Sequence, residues 1–221
     1  MSRCQRVVGL IVAFEGLPGC GKSSVARMVA ERMEGCVVQP EVSEAAAQRG
    51  FQVADRTSIG TEGWFLTQYY TRNVEADRLR AEGRLVIQDR NYASGLAFGL
   101  ANFVESGNPG FFVHFPSYVM NKAMGTLVEP DAYVFFEIPV VESVGRQEGR
   151  EEMRAELRTG SVDVLGLCER FYGAFFSVLE PEVPVFRVDA RRPREEVLEK
   201  VMEIIERLMA KTSALSPADS G

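Results

Sequence analysis

Histidine is nearly absent from this chain, since His114 is the only one in 221 residues. Cysteine is scarce too, and its four residues (Cys4, Cys20, Cys36 and Cys168) are scattered without the C-x-x-C spacing of zinc sites. These shortages argue against a histidine-rich metal site, a structural zinc or a disulfide framework, and they fit a reducing, cytoplasmic compartment. No motif surrounds His114, so we expect a structural or surface role for it.

Long basic segments and long apolar segments are also missing. The formal net charge is −6, and no basic run alternates with aromatic residues, which argues against a nucleic-acid partner. The longest apolar stretch near the amino terminus, residues 7–14, is too short for a membrane span and is not followed by a signal-peptide cleavage site. We therefore expect neither nucleic acid nor a membrane as a partner.

The chain does contain a complete phosphate-binding loop. Residues 16–23 read G-L-P-G-C-G-K-S and match G-x-x-x-x-G-K-[S/T] in full. The apolar run before the loop predicts a strand, and Val25, Met28 and Val29 after it share one helical face. This context predicts an ATP-binding site formed by Gly16, Leu17, Pro18, Gly19, Cys20, Gly21, Lys22, Ser23 and Ser24.

Each part of this loop can help to hold a triphosphate. Its glycines let backbone N–H groups approach phosphate oxygens, and the following helix adds its positive amino-terminal end. Lys22 can reach the outer phosphates as a catalytic residue, and the Ser23 hydroxyl can bind Mg²⁺. Cys20 is either a small filler residue or a redox-sensitive thiol.

Strand-like and helical segments alternate along the sequence, which predicts one α/β domain with a five-stranded parallel sheet and helices on both faces. The strands are expected at residues 7–14, 36–39, 85–88, 132–138 and 183–188. The helices are expected at residues 23–33, 62–81, 140–147, 164–179 and 194–208. The domain is expected at residues 1–210, with a disordered tail at 211–221, and Asn108-Pro109-Gly110 predicts a loop at residues 107–116.

Charged residues follow the strands at the edge where such sheets bind ligands. Asp89 ends the third strand and is a candidate Mg²⁺ ligand, and Arg90 after it could grip a phosphoryl group. Alternatively, Asp89 caps a helix that begins near Tyr92. Glu41 follows the second strand, where it is either a proton acceptor or sugar contact, or an ordinary loop carboxylate.

Two helical segments carry further candidates. Arg146 and Arg150 lie four residues apart after the fourth strand, where they could stabilise the charge of phosphoryl transfer or belong to a solvated, salt-bridged helix. On the long helix after the second strand, Phe65, Tyr69 and Arg72 share one stripe, which is either core or part of a substrate pocket.

These segments together resemble the thymidylate kinase and deoxynucleoside kinase group of phosphate-loop kinases. The likeness rests on residues 14–24 around the loop, 86–98 after the third strand, 129–132 before the fourth strand, and 188–197 at the last strand.

The resemblance implies a P-loop nucleoside or nucleotide kinase domain with ATP and Mg²⁺ as cofactors and a small nucleotide as substrate. It implies that Arg90 and Phe98 contact the acceptor, that the backbone at Ala190 packs on adenine, and that residues 140–158 form a lid. Members of this group often form homodimers through helices, so a homodimer is compatible with the resemblance.

Departures from the group concentrate in the acceptor half of the site. Pro18 stands where thymidylate kinases usually carry an acidic residue, Asn91 replaces a Tyr or His, and Gly99 replaces a base-reading Gln. Arg72 lies about one helical turn from the expected place of the acceptor-phosphate arginine.

The leading hypothesis is transfer of the γ-phosphoryl group of ATP to a nucleoside monophosphate such as dTMP. Such an ionised acceptor needs positioning and charge neutralisation rather than a strong base. The alternative is a deoxynucleoside kinase in which Glu41 is the general base for a hydroxyl. A nucleotide switch or acceptor-independent ATPase is less favoured, because the guanine-reading motif N-K-x-D is incomplete at residues 121–124.

Overall fold

A five-stranded parallel sheet organises the protein. The computed structural model describes residues 9–44, 59–148 and 161–215. The strands are β1 (Leu10–Gly16), β2 (Val37–Gln39), β3 (Leu85–Asp89), β4 (Ala132–Glu137) and β5 (Val185–Asp189). They lie in the order β2-β3-β1-β4-β5, and every neighbouring pair is parallel. The predicted α/β class with a five-stranded parallel sheet is confirmed.

The helices form two groups around this sheet. They are α1 (Lys22–Arg32), α2 (Ile59–Ala81), α3 (Tyr92–Ser106), α4 (Gly110–Ala123), α5 (Val140–Glu148), α6 (Val162–Leu179) and α7 (Arg194–Leu215). Helix α1 contacts α7, whereas α3 contacts α4 and α6. Within the described ranges, none of these helices combines the length and the apolar character needed to span a lipid bilayer.

The central strands are apolar because helices cover both of their faces. All seven residues of β1 and all five of β3 are buried. Phe14 of β1 packs its ring 5.2 Å from that of Phe136, while Ile11 joins a separate cluster with Ala76 and Val86. The carboxyl ends of β1 and β3 are therefore fixed side by side by the core itself.

The prediction of a loop at residues 107–116 is wrong from Gly110 onward, because α4 begins there. Asn108 forms the turn, since its side-chain oxygen accepts a hydrogen bond from the Gly110 amide at 2.8 Å. Pro116 lies inside the helix and weakens its intrinsic propensity. Packing on α3 overrides that weakness: a Cβ atom on Gly99 would lie 3.2 Å from the Gly110 backbone.

The final helix is longer than its hydrophobic pattern indicates. It runs to Leu215, so residues 211–215 of the expected tail are helical. Met209 packs against the core, and the Thr212 hydroxyl donates to the Leu208 carbonyl at 2.9 Å. Residues 216–221 lie outside the described part of the chain, as do residues 7 and 8 of the first predicted strand.

Gly9 should be a stability determinant, because it lies against the main chain of the last turn of α2. A Cβ atom on Gly9 would lie 2.1 Å from the Arg80 carbonyl oxygen, so Gly9→Ala must displace backbone. We expect a loss of about 1–3 kcal/mol in the free energy of unfolding, measured by urea denaturation.

Gly166→Ala in α6 is the matched control for this substitution. A Cβ atom there meets nothing within 4 Å. Because alanine loses less backbone entropy than glycine when the helix forms, the substitution should stabilise the protein by about 0.5–1 kcal/mol. Equal urea midpoints of unfolding for Gly9→Ala and the unmodified protein would contradict the close packing of Gly9 against Arg80.

Candidate active site

The loop between β1 and α1 has the backbone geometry of a phosphate cradle. Gly16, Gly19 and Gly21 have φ angles of +143°, +75° and +94°, which residues with a side chain rarely adopt. Gly21 is the N-cap of α1, and no side chain caps that helix end. The amino-terminal N–H groups of α1 therefore remain suited to an anion.

The Lys22 ammonium lies over this loop and is almost fully buried. It donates to the carbonyls of Gly16 (3.1 Å) and Leu17 (3.0 Å) and to the Cys20 sulfur (3.2 Å). All three of its donors thus contact the loop, which places a positive charge where phosphates are expected. Cys20 is buried beside it, in keeping with its interpretation as a small filler residue.

Helix α5, the start of the expected lid, contacts both the phosphate loop and the loop after β5 that contains Ala190. The Ser143 hydroxyl donates to the Pro18 carbonyl at 2.7 Å, and a Cβ atom on Gly19 would lie 3.2 Å from the Arg146 Cβ. On its other side, Arg146 Nη1 donates to the Ala190 carbonyl at 2.9 Å. Arg146 therefore reaches the loop expected to hold adenine, while Arg150 lies outside the described residues.

Asp89 and Ser23 form the candidate Mg²⁺ position. Asp89 is buried, and its Oδ1 atom has no hydrogen-bond partner among the described residues. Burial raises the pKa of Asp89, against the opposing charge of Lys22 and a hydrogen bond from Ser23. The residues fit an ion shared with phosphates, because Mg²⁺ commonly takes one or two carboxylates plus phosphate and water oxygens. The described chain contains no cluster of three acidic, His or Cys residues that could hold a metal.

Glu41 and Arg90 face each other across the crevice at 3.2 Å, from Glu41 Oε2 to Arg90 Nε. The Glu41 side chain is 29% exposed and that of Arg90 only 4%. Burial tends to raise the pKa of Glu41, but the charges of Arg90 and Lys22 hold it below its usual value. Arg90 also lies over the Phe98 ring, 5.3 Å from its centroid. The structure thus brings the ends of β2 and β3 together at the phosphate loop.

The three residues of the predicted stripe on α2 have different surroundings. Arg72 Nη2 donates to the carbonyls of Gln39 (3.0 Å) and Asp89 (3.2 Å), whereas its buried Nε and Nη1 atoms have no partner in the described part of the chain. Tyr69 is buried nearby, and its pKa is raised by burial and by the charge of Glu41. Phe65 instead lies against Trp64, with ring centroids 5.2 Å apart.

His114 is buried behind this crevice. Its Nε2 atom is 2.9 Å from Glu62 Oε2, and its ring lies 6.2 Å from that of Tyr69. Gly95 makes room for it, because a Cβ atom there would lie 2.9 Å from His114 Nδ1. These contacts agree with the structural role expected from the sequence.

Glu15 is a buried carboxylate behind the crevice that sequence reasoning missed. Its carboxylate is fully buried below Arg90 and accepts hydrogen bonds from the Asn91 amide (2.8 Å), the Ser94 hydroxyl (2.6 Å) and the Tyr172 hydroxyl (3.0 Å). Burial raises its pKa, and the Arg90 charge opposes that shift. The available signal was a single carboxylate inside an otherwise apolar strand, which buried strands rarely contain without partners.

Comparisons with known proteins found relatives that are named as kinases. The thymidine kinase of Ictalurid herpesvirus 1 (strain Auburn) is 28% identical over 204 residues, which cover 89% of this chain and 86% of that protein. The thymidylate kinase of Campylobacter concisus (strain 13826) is 27% identical over 135 residues, or 58% of this chain and 65% of its own. No profile of a known protein family matches.

Solved structures with the same fold include deoxyadenosine kinase from M. mycoides. The form with the products dCMP and a flexible dCDP has a TM-score of 0.70 at 17% identity and covers 90% of this chain and 100% of its own. The form with bound dATP has a TM-score of 0.67 at 16% identity, and the match covers 89% of this chain and 99% of that one. The chain is thus similar in sequence to a thymidine kinase and a thymidylate kinase, and similar in fold to a deoxyadenosine kinase.

Proposed function

We propose that this protein transfers the γ-phosphoryl group of ATP to the 5′-hydroxyl of a deoxynucleoside. The observation that carries this proposal is the Glu41 carboxylate, which lies partly exposed in the crevice beside Arg90. A neutral hydroxyl needs a base to accept its proton, and a carboxylate with a lowered pKa is ionised at neutral pH. The thymidine kinase relative, which spans most of this chain, supports the same acceptor class.

The donor half supplies position and positive charge. The phosphate loop and the amino-terminal end of α1 would hold the triphosphate, with the Lys22 ammonium beside its outer phosphates. Ser23 and Asp89 would hold Mg²⁺, which when bound neutralises phosphate charge. The Ala190 backbone would contact adenine, and Arg146 would fix that loop against the lid helix.

The acceptor half completes the transfer. Glu41 would take the hydroxyl proton as the hydroxyl oxygen forms its bond to the γ-phosphorus and the bond to the ADP oxygen breaks. Arg90, already held within 3.2 Å of Glu41, would stabilise the charge on the transferring group. Phe98 and Tyr69 would line the sugar or base region, while the predicted substrate role of Phe65 has no contact to support it among the described residues.

A nucleoside monophosphate acceptor, the leading hypothesis from sequence, keeps one specific observation in its favour. The Nε and Nη1 atoms of Arg72 are buried without hydrogen-bond partners in the described structure, and an acceptor phosphate would satisfy them. The thymidylate kinase relative acts on such an acceptor by its name. Against it stands the Glu41 charge, which would repel a phosphate dianion close to Arg90.

A panel of deoxynucleosides and their 5′-monophosphates, assayed for ADP release with ATP and Mg²⁺, distinguishes these acceptors. We expect turnover with at least one deoxynucleoside and no faster turnover with its monophosphate. Preferred turnover of a monophosphate would reject the nucleoside assignment. ADP release that ignores every acceptor would reject both kinase assignments.

Glu41→Gln should lower kcat for the preferred nucleoside by roughly 100-fold or more, because the amide cannot accept the hydroxyl proton. The KM for ATP should change little, since the phosphate loop is untouched. Glu34→Gln, on the exposed turn before β2, removes the same charge away from the crevice and should leave kcat unchanged. A kcat for Glu41→Gln close to that of the control would exclude Glu41 as the base.

Asp89→Asn should raise the Mg²⁺ concentration that gives the half-maximal rate by about 10- to 100-fold, because a carboxylate ligand becomes a neutral amide. Calorimetric titration of ATP at fixed Mg²⁺ provides a readout independent of turnover. Asp77→Asn on the exposed face of α2 is the control for loss of one aspartate charge. An unchanged Mg²⁺ dependence would remove Asp89 from the metal site.

A further inference from the structure

We infer that Glu15 is a positioning residue, which holds Arg90 in its productive orientation through Ser94 and through the backbone at Asn91. Arg90 Nη1 donates to the Ser94 hydroxyl at 3.0 Å, and that hydroxyl donates to Glu15 Oε2 at 2.6 Å. The other carboxylate oxygen, Oε1, accepts from the Asn91 amide at 2.8 Å. One buried carboxylate thus fixes both the side chain and the flanking peptide of Arg90.

The backbone conformation of Arg90 is unusual, and the hydrogen bonds of this network stabilise it. Arg90 has a φ angle of +62° and is the one non-glycine residue with positive φ in the described chain. Such a conformation is costly for a residue with a side chain and persists where surrounding contacts impose it. The Arg90 amide donates to the Phe14 carbonyl at 3.0 Å, and the next amide along the chain donates to Glu15. Two consecutive residues of β1 therefore hold this turn.

The same network is anchored on the opposite side by α6. The Tyr172 hydroxyl is 3.0 Å from Glu15 Oε2 and 2.9 Å from the Ser94 hydroxyl, and Tyr172 is fully buried. A hydrogen-bonded unit without solvent contact is well suited to fix a guanidinium, because each bond limits the freedom of the next. Guanidinium placement matters, since misplacement of a group by about 1 Å can cost 100-fold in rate.

This inference rests on the proposed function only in that Arg90 contacts the transferring phosphoryl group. Glu15 itself lies behind Arg90 and touches no expected substrate position. The kinetic test uses whichever acceptor in the panel the wild-type enzyme turns over. A panel that favours a monophosphate would therefore overturn the nucleoside assignment and leave this test intact.

A double-mutant cycle between Glu15→Gln and Arg90→Ala tests the inference. In the wild-type background, Glu15→Gln should lower kcat by about 10- to 100-fold and leave the KM for ATP within about 3-fold. In the Arg90→Ala background, the same substitution should change kcat by less than about 3-fold, because no guanidinium remains to be oriented. Equal losses of kcat in both backgrounds would overturn the inference.

Two further variants separate positioning from a loss of stability. Ser94→Ala breaks the link between Glu15 and Arg90 and should reproduce the kcat loss, and it replaces Glu15→Gln in the cycle if that variant does not fold. Gly9→Ala destabilises the opposite end of β1 and should leave kcat unchanged at a temperature where the variant is folded. Wild-type kcat in both Glu15→Gln and Ser94→Ala would also overturn the inference.

Discussion

Parallel pairing of β1 with β3 is the constraint on which the site depends. The register places Phe14 opposite Asp89, and the Arg90 amide extends the ladder to the Phe14 carbonyl. Because β3 ends at Asp89, only two residues short of the level at which β1 ends at Gly16, the phosphate loop, the Asp89 carboxylate and the Arg90 guanidinium lie side by side. A shift of one residue would turn Asp89 to the other face of the sheet. The apolar contacts that set this register thereby also set the chemistry.

Most of the sheet could be predicted because its signals are local. Each strand is a short apolar run followed by a turn, and the phosphate loop identifies the strand that precedes it. The region from α3 to α4 could not be predicted in the same way. Gly110 and Pro116 are poor helix formers, and the helix around them depends on a close approach to Gly99 that is visible only in three dimensions. Tertiary contact outweighs propensity there.

The two halves of the site differ in the same respect. The donor residues are nearly consecutive, so one motif names them, and Lys22 bonds to partners within six residues. Glu15 bonds to residues 76, 79 and 157 positions away, a separation that no local pattern reports. The proposed acceptor half is assembled from residues that are similarly far apart in the sequence. Glu41 and Arg72 were candidates from sequence, but their relation to Arg90 and Asp89 required the fold.

Helix α5, the start of the expected lid, contacts two neighbouring loops through their main-chain oxygens. Ser143 bonds to the carbonyl at Pro18, and Arg146 bonds to the carbonyl at Ala190. Peptide oxygens are present whatever side chain a position carries, so positions 18 and 190 can drift in sequence while the clamp persists. A proline at position 18, where the resemblance to thymidylate kinases implies an acidic residue, is compatible with this contact. At this contact, evolutionary selection should act instead on Ser143 and Arg146, whose side chains donate the hydrogen bonds.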